Sequence, residues 1–305
     1  MELRPTRIPG DSTTIRVVSA REVKEKKRRS RGFIVRFREQ LAPMVALGYL
    51  VVLILAAVFA DVLATYDPNA QDLMATMQNP SAEHWLGTDQ LGRDVYSRML
   101  FAARLSLTAG AIAVGLGLLF GLPIGLIAGY VGGRTDRVVM FFVDAMMGFP
   151  PLLLAIGVVA ALGAGITNAM IAIGIVFIPR TVRVVRGATL AIRNETFLEA
   201  SRSIGTPLLR IVRVHVLPNV LPPVIVQTTL MIGFAMLTEA SLSFLGLGAQ
   251  PPEASWGSML GAAARDVGRQ PLLMIWPGLA IAVTVLALNV FGDGLRDSFG
   301  REARR

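Results

Sequence analysis

The sequence predicts an all-α polytopic membrane protein with six transmembrane helices, and three observations lead there. Of 305 residues, 53% are hydrophobic and 17% charged, and the mean hydropathy is +0.57. That is more apolar material than a soluble core of this size buries. The apolar residues gather into charge-poor runs close to the ~20 residues that cross a ~30 Å hydrocarbon layer. The basic residues are also unevenly split. Of the 30 Lys and Arg, 25 fall in residues 1–40, 132–137, 180–215 and 293–305, and the other five are Arg93, Arg98, Arg104, Arg265 and Arg269. By the positive-inside rule the first set faces the cytoplasm. Both termini are therefore expected inside, in a multi-pass chain of the cytoplasmic (inner) membrane.

In order, residues 1–40 form a basic cytoplasmic tail whose stretch 21–38 opens with a dense basic run at 21–31, followed by Phe33, Ile34, Val35 and Phe37. No apolar core of signal-peptide type begins before Leu41. The tail reads as a short basic helix on anionic membrane lipid. It does not read as a nucleic-acid arm, because the basic residues of the chain flank membrane segments and do not gather on one soluble domain. Residues 41–66 hold the first transmembrane helix, with 41–60 free of charge as far as Ala60. Residues 67–104 form an extracytoplasmic segment. Residues 105–292 form a five-helix core with spans at 105–133, 138–162, 169–185, 220–242 and 272–291, and residues 293–305 a second cytoplasmic tail. The third span carries Asp144 and the run Phe149-Pro150-Pro151, where the prolines predict a kink or break.

Several chemistries are excluded. With no cysteine there are no disulfides, thiolate metal sites or cysteine nucleophiles, and His84 and His215 are too few for a metal cluster. The three lysines, Lys24, Lys26 and Lys27, follow no glycine-rich loop, so the phosphate-cradling pattern ending in Gly-Lys-Ser/Thr is missing. No cofactor is expected in this chain, and any ATP is hydrolysed elsewhere. No Ser/His motif or His-Glu-x-x-His run points to an intramembrane enzyme.

Four ionisable residues fall in or near the spans: Asp144, Arg180, Arg183 and Glu239. An unpaired charge at mid-bilayer costs about 2.5–3.5 kcal/mol on insertion scales, so each should face protein or water. Asp144 and Glu239 could serve a proton-coupled secondary transporter, but two carboxylates on separate spans make no chain of sites. A structural or path-lining role suits them better.

The most informative stretch is polar and lies between long apolar runs, within the segment 194–218. Thr196 with Glu199 three residues on predicts a capping box, and Gly205 a left-handed helix end. Thr206 can cap a second helix, Pro207 fits its first position, and Leu217-Pro218 closes it. The result is a knuckle carrying Arg202, Arg210 and Arg213, shaped either to dock on a soluble partner or to serve as an interfacial loop. On the other side, Gly87, Thr88, Asp89, Gly92, Arg93 and Asp94 suit turns and a helix start in a segment folding back onto the membrane surface.

The knuckle resembles the EAA motif of bacterial ABC importer permeases, with Glu199-Ala200, then Gly205, then Leu217-Pro218. Ser201 replaces the second alanine, and His215 stands where an apolar residue is usual. The run from His84 to Arg98 and the run from Glu239 to Gly248 are similar to signatures of the second permease of dipeptide, oligopeptide and nickel importers. With Asp144 and Phe149-Pro150, the resemblance covers roughly residues 41–300.

It implies the type I ABC importer permease fold, in which the last five helices form the shared core, and an alternating-access transport subunit that is not itself an enzyme. The implied partners are a homologous second permease, an extracytoplasmic substrate-binding protein, and two cytosolic ATPase subunits that hold the ATP and magnesium. Residues 196–218 would couple to those ATPases through Glu199, Ala200, Ser201, Arg202, Gly205, Thr206, Arg210, Leu217 and Pro218. Di- and oligopeptides are the implied cargo, with nickel or another small solute as the alternative. A secondary transporter would work without ATP. The large glycine-turned knuckle and the lack of a visible inverted repeat argue against it.

Overall fold

The computed structural model describes residues 37–299. The expected basic lipid-binding helix lies largely outside the described residues. Among them the chain is helical with no strand, and Thr88 and Asp94 form an isolated bridge. In order, α1 is Leu41–Val58, α2 is Ala60–Leu63, α3 is Val95–Val131, α4 is Gly133–Met147, α5 is Pro151–Leu162 and α6 is Ile166–Ile192. Then come α7 (Thr196–Ser203), α8 (Leu208–Ile211), a π turn (Val212–Val216), α9 (Leu217–Phe244), α10 (Trp256–Ala263) and α11 (Leu272–Phe299).

Five helical stretches are long and apolar enough to cross a membrane: α1, α3, α6, the continuous run Leu208–Phe244, and α11. The pair α4 and α5, bent by 90° at its break, adds a sixth if counted as one span. The break falls where the prolines predict it, with Pro150 capping α5 and Pro151 opening it.

Helix α3 starts at Val95, ten residues before the expected span. Asp94 Oδ2 accepts from the Ser97 amide at 2.8 Å and caps it. Charged residues persist inside its first turns because their guanidinium groups are satisfied. Arg98 Nη1 donates to Pro68 O at 2.8 Å, and Arg104 reaches Ala57 O, Val58 O and Asp61. The Arg104 guanidinium beside Asp61 holds that carboxyl below the usual carboxylate range. At the other end, α6 runs past Arg183 and Arg186 to Ile192, and α11 reaches Phe299.

The centre of the fold is the α3–α6 pair. Gly117, Gly121, Gly125 and Gly129 recur every four residues along α3 against Phe177, Thr181, Val185 and Thr189 of α6. A Cβ added at Gly121, Gly125 or Gly129 would stand 2.6, 2.7 or 2.7 Å from the facing Cβ. This is a small-xxx-small contact that lets two membrane helices approach to backbone distance, where packing replaces the missing hydrophobic drive. Around it α5 and α9 bury Val159, Ile173, Met231 and Ala235, while α1 and α11 enclose Leu50, Ile281 and Leu288 with Trp256 of α10.

Candidate functional site

The knuckle begins at Glu195, which has extended backbone and accepts from the amides of Leu198 and Glu199 through its carbonyl at 2.9 and 3.2 Å. Glu195 is therefore the cap, without a side-chain bond, and Thr196 is already the first helical residue. The expected Thr196–Glu199 capping box is not formed. Exposed Glu199 sits one turn inside α7, with its carbonyl accepting from Ser203 Oγ at 3.0 Å.

The C-terminus of α7 is a Schellman turn. Gly205 has φ +74°, the Gly205 amide donates to Arg202 O at 2.9 Å, and the Thr206 amide donates to Ser201 O at 3.1 Å. Thr206 does not cap the next helix. Pro207 does so through its carbonyl, which receives the Arg210 and Ile211 amides at 3.0 Å each, so Pro207 lies before α8 and not inside it. Nor does Leu217-Pro218 close a helix. The Leu217 amide donates to Val212 O, five residues back, and this wider turn carries the backbone through Pro218, which has no amide to lose, straight into α9.

Leu198 is fully buried and anchors α7 in a cluster with Leu126 of α3, Val185 of α6, Ile211, Val216 and Val220. Ser201, in the alanine place of the motif, fits its buried position because its hydroxyl folds back onto Phe197 O at 2.9 Å. His215 rests its ring against Phe197, with centroids 6.3 Å apart. Arg202 is not a free docking charge. Its guanidinium lies 5.0 Å over the Tyr130 ring, donates from Nε to the Tyr130 hydroxyl at 3.0 Å, and donates from Nη2 to Arg193 O at 3.2 Å. It braces α7 on the end of α3. Ala200, Arg210 and Arg213 remain exposed, beside apolar tips that sequence reasoning missed: Phe197, Leu208, Leu209 and above all Ile204, 82% exposed. Pro218 lies on the wall of a cavity of about 720 Å³ between α6, α9 and α11.

Two carboxylates of α4 pin the same end of α6. Asp144 Oδ1 accepts from Arg183 at 2.7 Å, and Asp136 takes a two-pronged contact from Arg186, with Oδ2 to Nη2 at 2.6 Å. Glu239 is buried elsewhere. It accepts from Ser243 Oγ at 2.6 Å and Ser106 Oγ at 3.3 Å, and those hydroxyls in turn receive the amides of Ala249 and Trp256 at 3.0 and 3.2 Å. It ties α3, α9 and α10 together. Asp144 and Glu239 share no partner among the described residues. Phe149 at the α4–α5 break is exposed.

At the opposite end of the helices from the knuckle, Asp89 organises the segment that precedes α3. It accepts from the amides of Leu91 and Arg93 and from Arg93 Nε at 2.9, 3.1 and 2.7 Å, with Arg98 Nε 3.6 Å away. Asp94 holds Ser97 through Oδ2 and His84 Nδ1 through Oδ1, the latter at 2.9 Å. Thr88 Oγ1 accepts from the Gln78 amide at 2.8 Å and donates to Ala75 O. Gly92 is required by close approach, because a Cβ there would stand 1.7 Å from Asp72 O; Gly87 meets Gln78 O at 2.4 Å in the same way. The segment is a built cap on the helix ends.

Comparison with known proteins agrees with this geometry. Residues 121–305 match the family described as "Binding-protein-dependent transport system inner membrane component". Residues 30–80 match "N-terminal TM domain of oligopeptide transport permease C". The "Glutathione transport system permease protein GsiD" of Escherichia coli O6:K15:H31 (strain 536 / UPEC) is 47% identical over 264 residues, 86% of this chain and 87% of that protein. The protein of the same name from Shigella boydii serotype 4 (strain Sb227) matches to the same extent. Among solved structures, the inward facing MetNI methionine ABC transporter in its CY5 native crystal form superposes with TM-score 0.55 at 20% identity, over 66% of this chain and 96% of that one. At that identity the likeness is one of fold.

Proposed function

This chain belongs to the family of binding-protein-dependent transport system inner membrane components, and we propose that it carries short peptides, glutathione among them, through an importer of the inner membrane driven by cytosolic ATPase subunits. It is a permease subunit of an ABC importer, a transport subunit and not an enzyme. The peptide reading rests on the 47% identity to a glutathione permease and on the match to the oligopeptide permease N-terminal domain. The coupling reading rests above all on one observation: the Schellman turn at Gly205 projects Ile204 and Leu209 from a base that is itself buried and braced.

Force applied at that tip has a short route inward. Leu198 bears on Val185 of α6 and Leu126 of α3, Arg202 bears on Tyr130, and α8 continues without a break through the π turn into α9. A partner ATPase that moves the tip would therefore tilt α3, α6 and α9 together, which is what alternating access needs. This orientation puts the knuckle and both termini in the cytoplasm, in line with the division of basic residues, which stays at 22 to 5 once Arg180, Arg183 and Arg186 of α6 are set aside. The bent α4–α5 pair exposes Phe141, Phe142 and Leu153, a surface suited to a homologous second permease, and the ordered outer segment is suited to an extracytoplasmic binding protein. ATP and magnesium belong to the ATPase subunits.

Reconstitution tests the reading. Vesicles holding both permeases and the ATPase subunits, supplied with binding protein and glutathione, should accumulate glutathione only with ATP, and the purified chain alone should bind no nucleotide. Uptake of nickel in place of glutathione would overturn the peptide assignment. Uptake by the chain alone on a proton gradient would overturn the importer assignment.

A further inference from the structure

Three arginines descend α6 about one turn apart. Arg186 is paired with Asp136 and Arg183 with Asp144, both carboxylates coming from α4. Arg180, the one farthest from the knuckle, has no hydrogen bond or carboxylate partner among the described residues. Its guanidinium lies 5.1 Å over the ring of Phe234 on α9, and both residues are exposed. Phe234 stands about three turns short of the end of α9 at Phe244, so the cation sits well inside the spanning part of both helices. An ionisable group retained at such depth faces protein or water and marks a path or site, because facing lipid is disfavoured. Stacking on Phe234 fixes the plane of the guanidinium but uses none of its five N–H donors, whose fork matches a carboxylate.

We propose that Arg180, held flat on Phe234, is a carboxylate-binding station on the translocation path, and that the path itself favours short peptides with a free carboxylate over neutral ones. This rests on the permease reading above. Arg183 cannot serve in the same way, because Asp144 already occupies its fork; Arg180, Arg183 and Asp144 together leave this face with one net positive charge. The exposed Phe234 and Leu237 offer apolar surface to the rest of the peptide.

The test separates the path from the binding protein. The complete importer is reconstituted in vesicles and given an equimolar mixture of tripeptides with free C-terminal carboxylates and the same tripeptides as C-terminal amides. Mass spectrometry then compares the acid-to-amide ratio in the lumen with the ratio held on the binding protein. The wild type should enrich acids in the lumen about tenfold over the binding protein, the discrimination of one charge-assisted hydrogen bond. In assembled R180Q complexes that enrichment should vanish, and R180K, which keeps the charge, should restore part of it. Uptake with equal enrichment in wild type and R180Q, or with no enrichment in wild type, would overturn the station while leaving the peptide reading intact. Absence of any ATP-driven peptide uptake by the wild type would overturn both.

Discussion

The α3–α6 contact makes the sharpest stability prediction. In Gly125→Ala the new Cβ would stand 2.7 Å from Val185 Cβ and 2.8 Å from Val182 O, whereas ordinary contact begins at 3.4 Å. Backbone on one side and a β-branched residue on the other leave little to yield, so the helices must part. Overpacking of this kind costs about 1–3 kcal/mol. Gly115→Ala, on the same helix, meets nothing within 4 Å and serves as the reference. Both substitutions gain the same ~0.5–1 kcal/mol of helix propensity, so their difference isolates the packing term. At about 2–4 °C per kcal/mol, Gly125→Ala should melt several degrees below Gly115→Ala in thermal scans of the purified complex in detergent. Equal melting, or a higher Tm for Gly125→Ala, would refute the close-packed contact.

Three further changes probe other parts. Gly205→Val forces a β-branched residue to φ +74°, at a strain of roughly 1–2 kcal/mol, with nothing within 4 Å to clash; the variant should reach the membrane at normal levels yet lose most uptake in transport assays. Glu239→Leu leaves the Ser106 and Ser243 hydroxyls without their carboxylate acceptor and should cost about 1–3 kcal/mol, while Glu239→Gln keeps an acceptor and should cost much less, as thermal scans can check. Asp94→Ala removes the cap of α3 and the partner of His84, costing about 1–2 kcal/mol, and protease should then cut the segment before α3 faster.

The spans and their break were legible because both are local properties. A charge-free run of membrane length and a Phe-Pro-Pro sequence mean much the same wherever they occur, and so does Gly205, whose left-handed conformation depends on its own lack of a Cβ. What depends on distant partners was not legible. Helix α3 begins at Val95 because residues near 57–69 satisfy Arg98 and Arg104, which no local pattern announces. Helix α10 lies between the expected spans 220–242 and 272–291, in a stretch whose small, glycine-rich composition announces no helix. Those same glycines, Gly257 and Gly261, are what seat it against the backbone of Ala240 and Phe244 on α9. The caps at 195 and 207 fell one residue from the expected hydroxyls, because carbonyls alone satisfy the first amides of α7 and α8. Pro218 read as a helix end until the π turn ahead of it absorbed the ring. Arg202 read as a free basic residue, since nothing in the sequence joins it to Tyr130. The glycine stripe did carry a signal, its four-residue spacing from Gly117 to Gly129, and a search for small-xxx-small runs would have found the α3 face.

The coupling role of the knuckle is tested most directly at its tip. A photo-cross-linking residue placed at position 204, the most exposed apolar position of the turn, should capture an ATPase subunit in the assembled importer, with a yield that changes when ATP is added. The same residue at position 112, on an exposed stretch of α3, should capture none. Cross-linking at 204 that yields only lipid or no adduct, in complexes that still import substrate with ATP, would contradict the account.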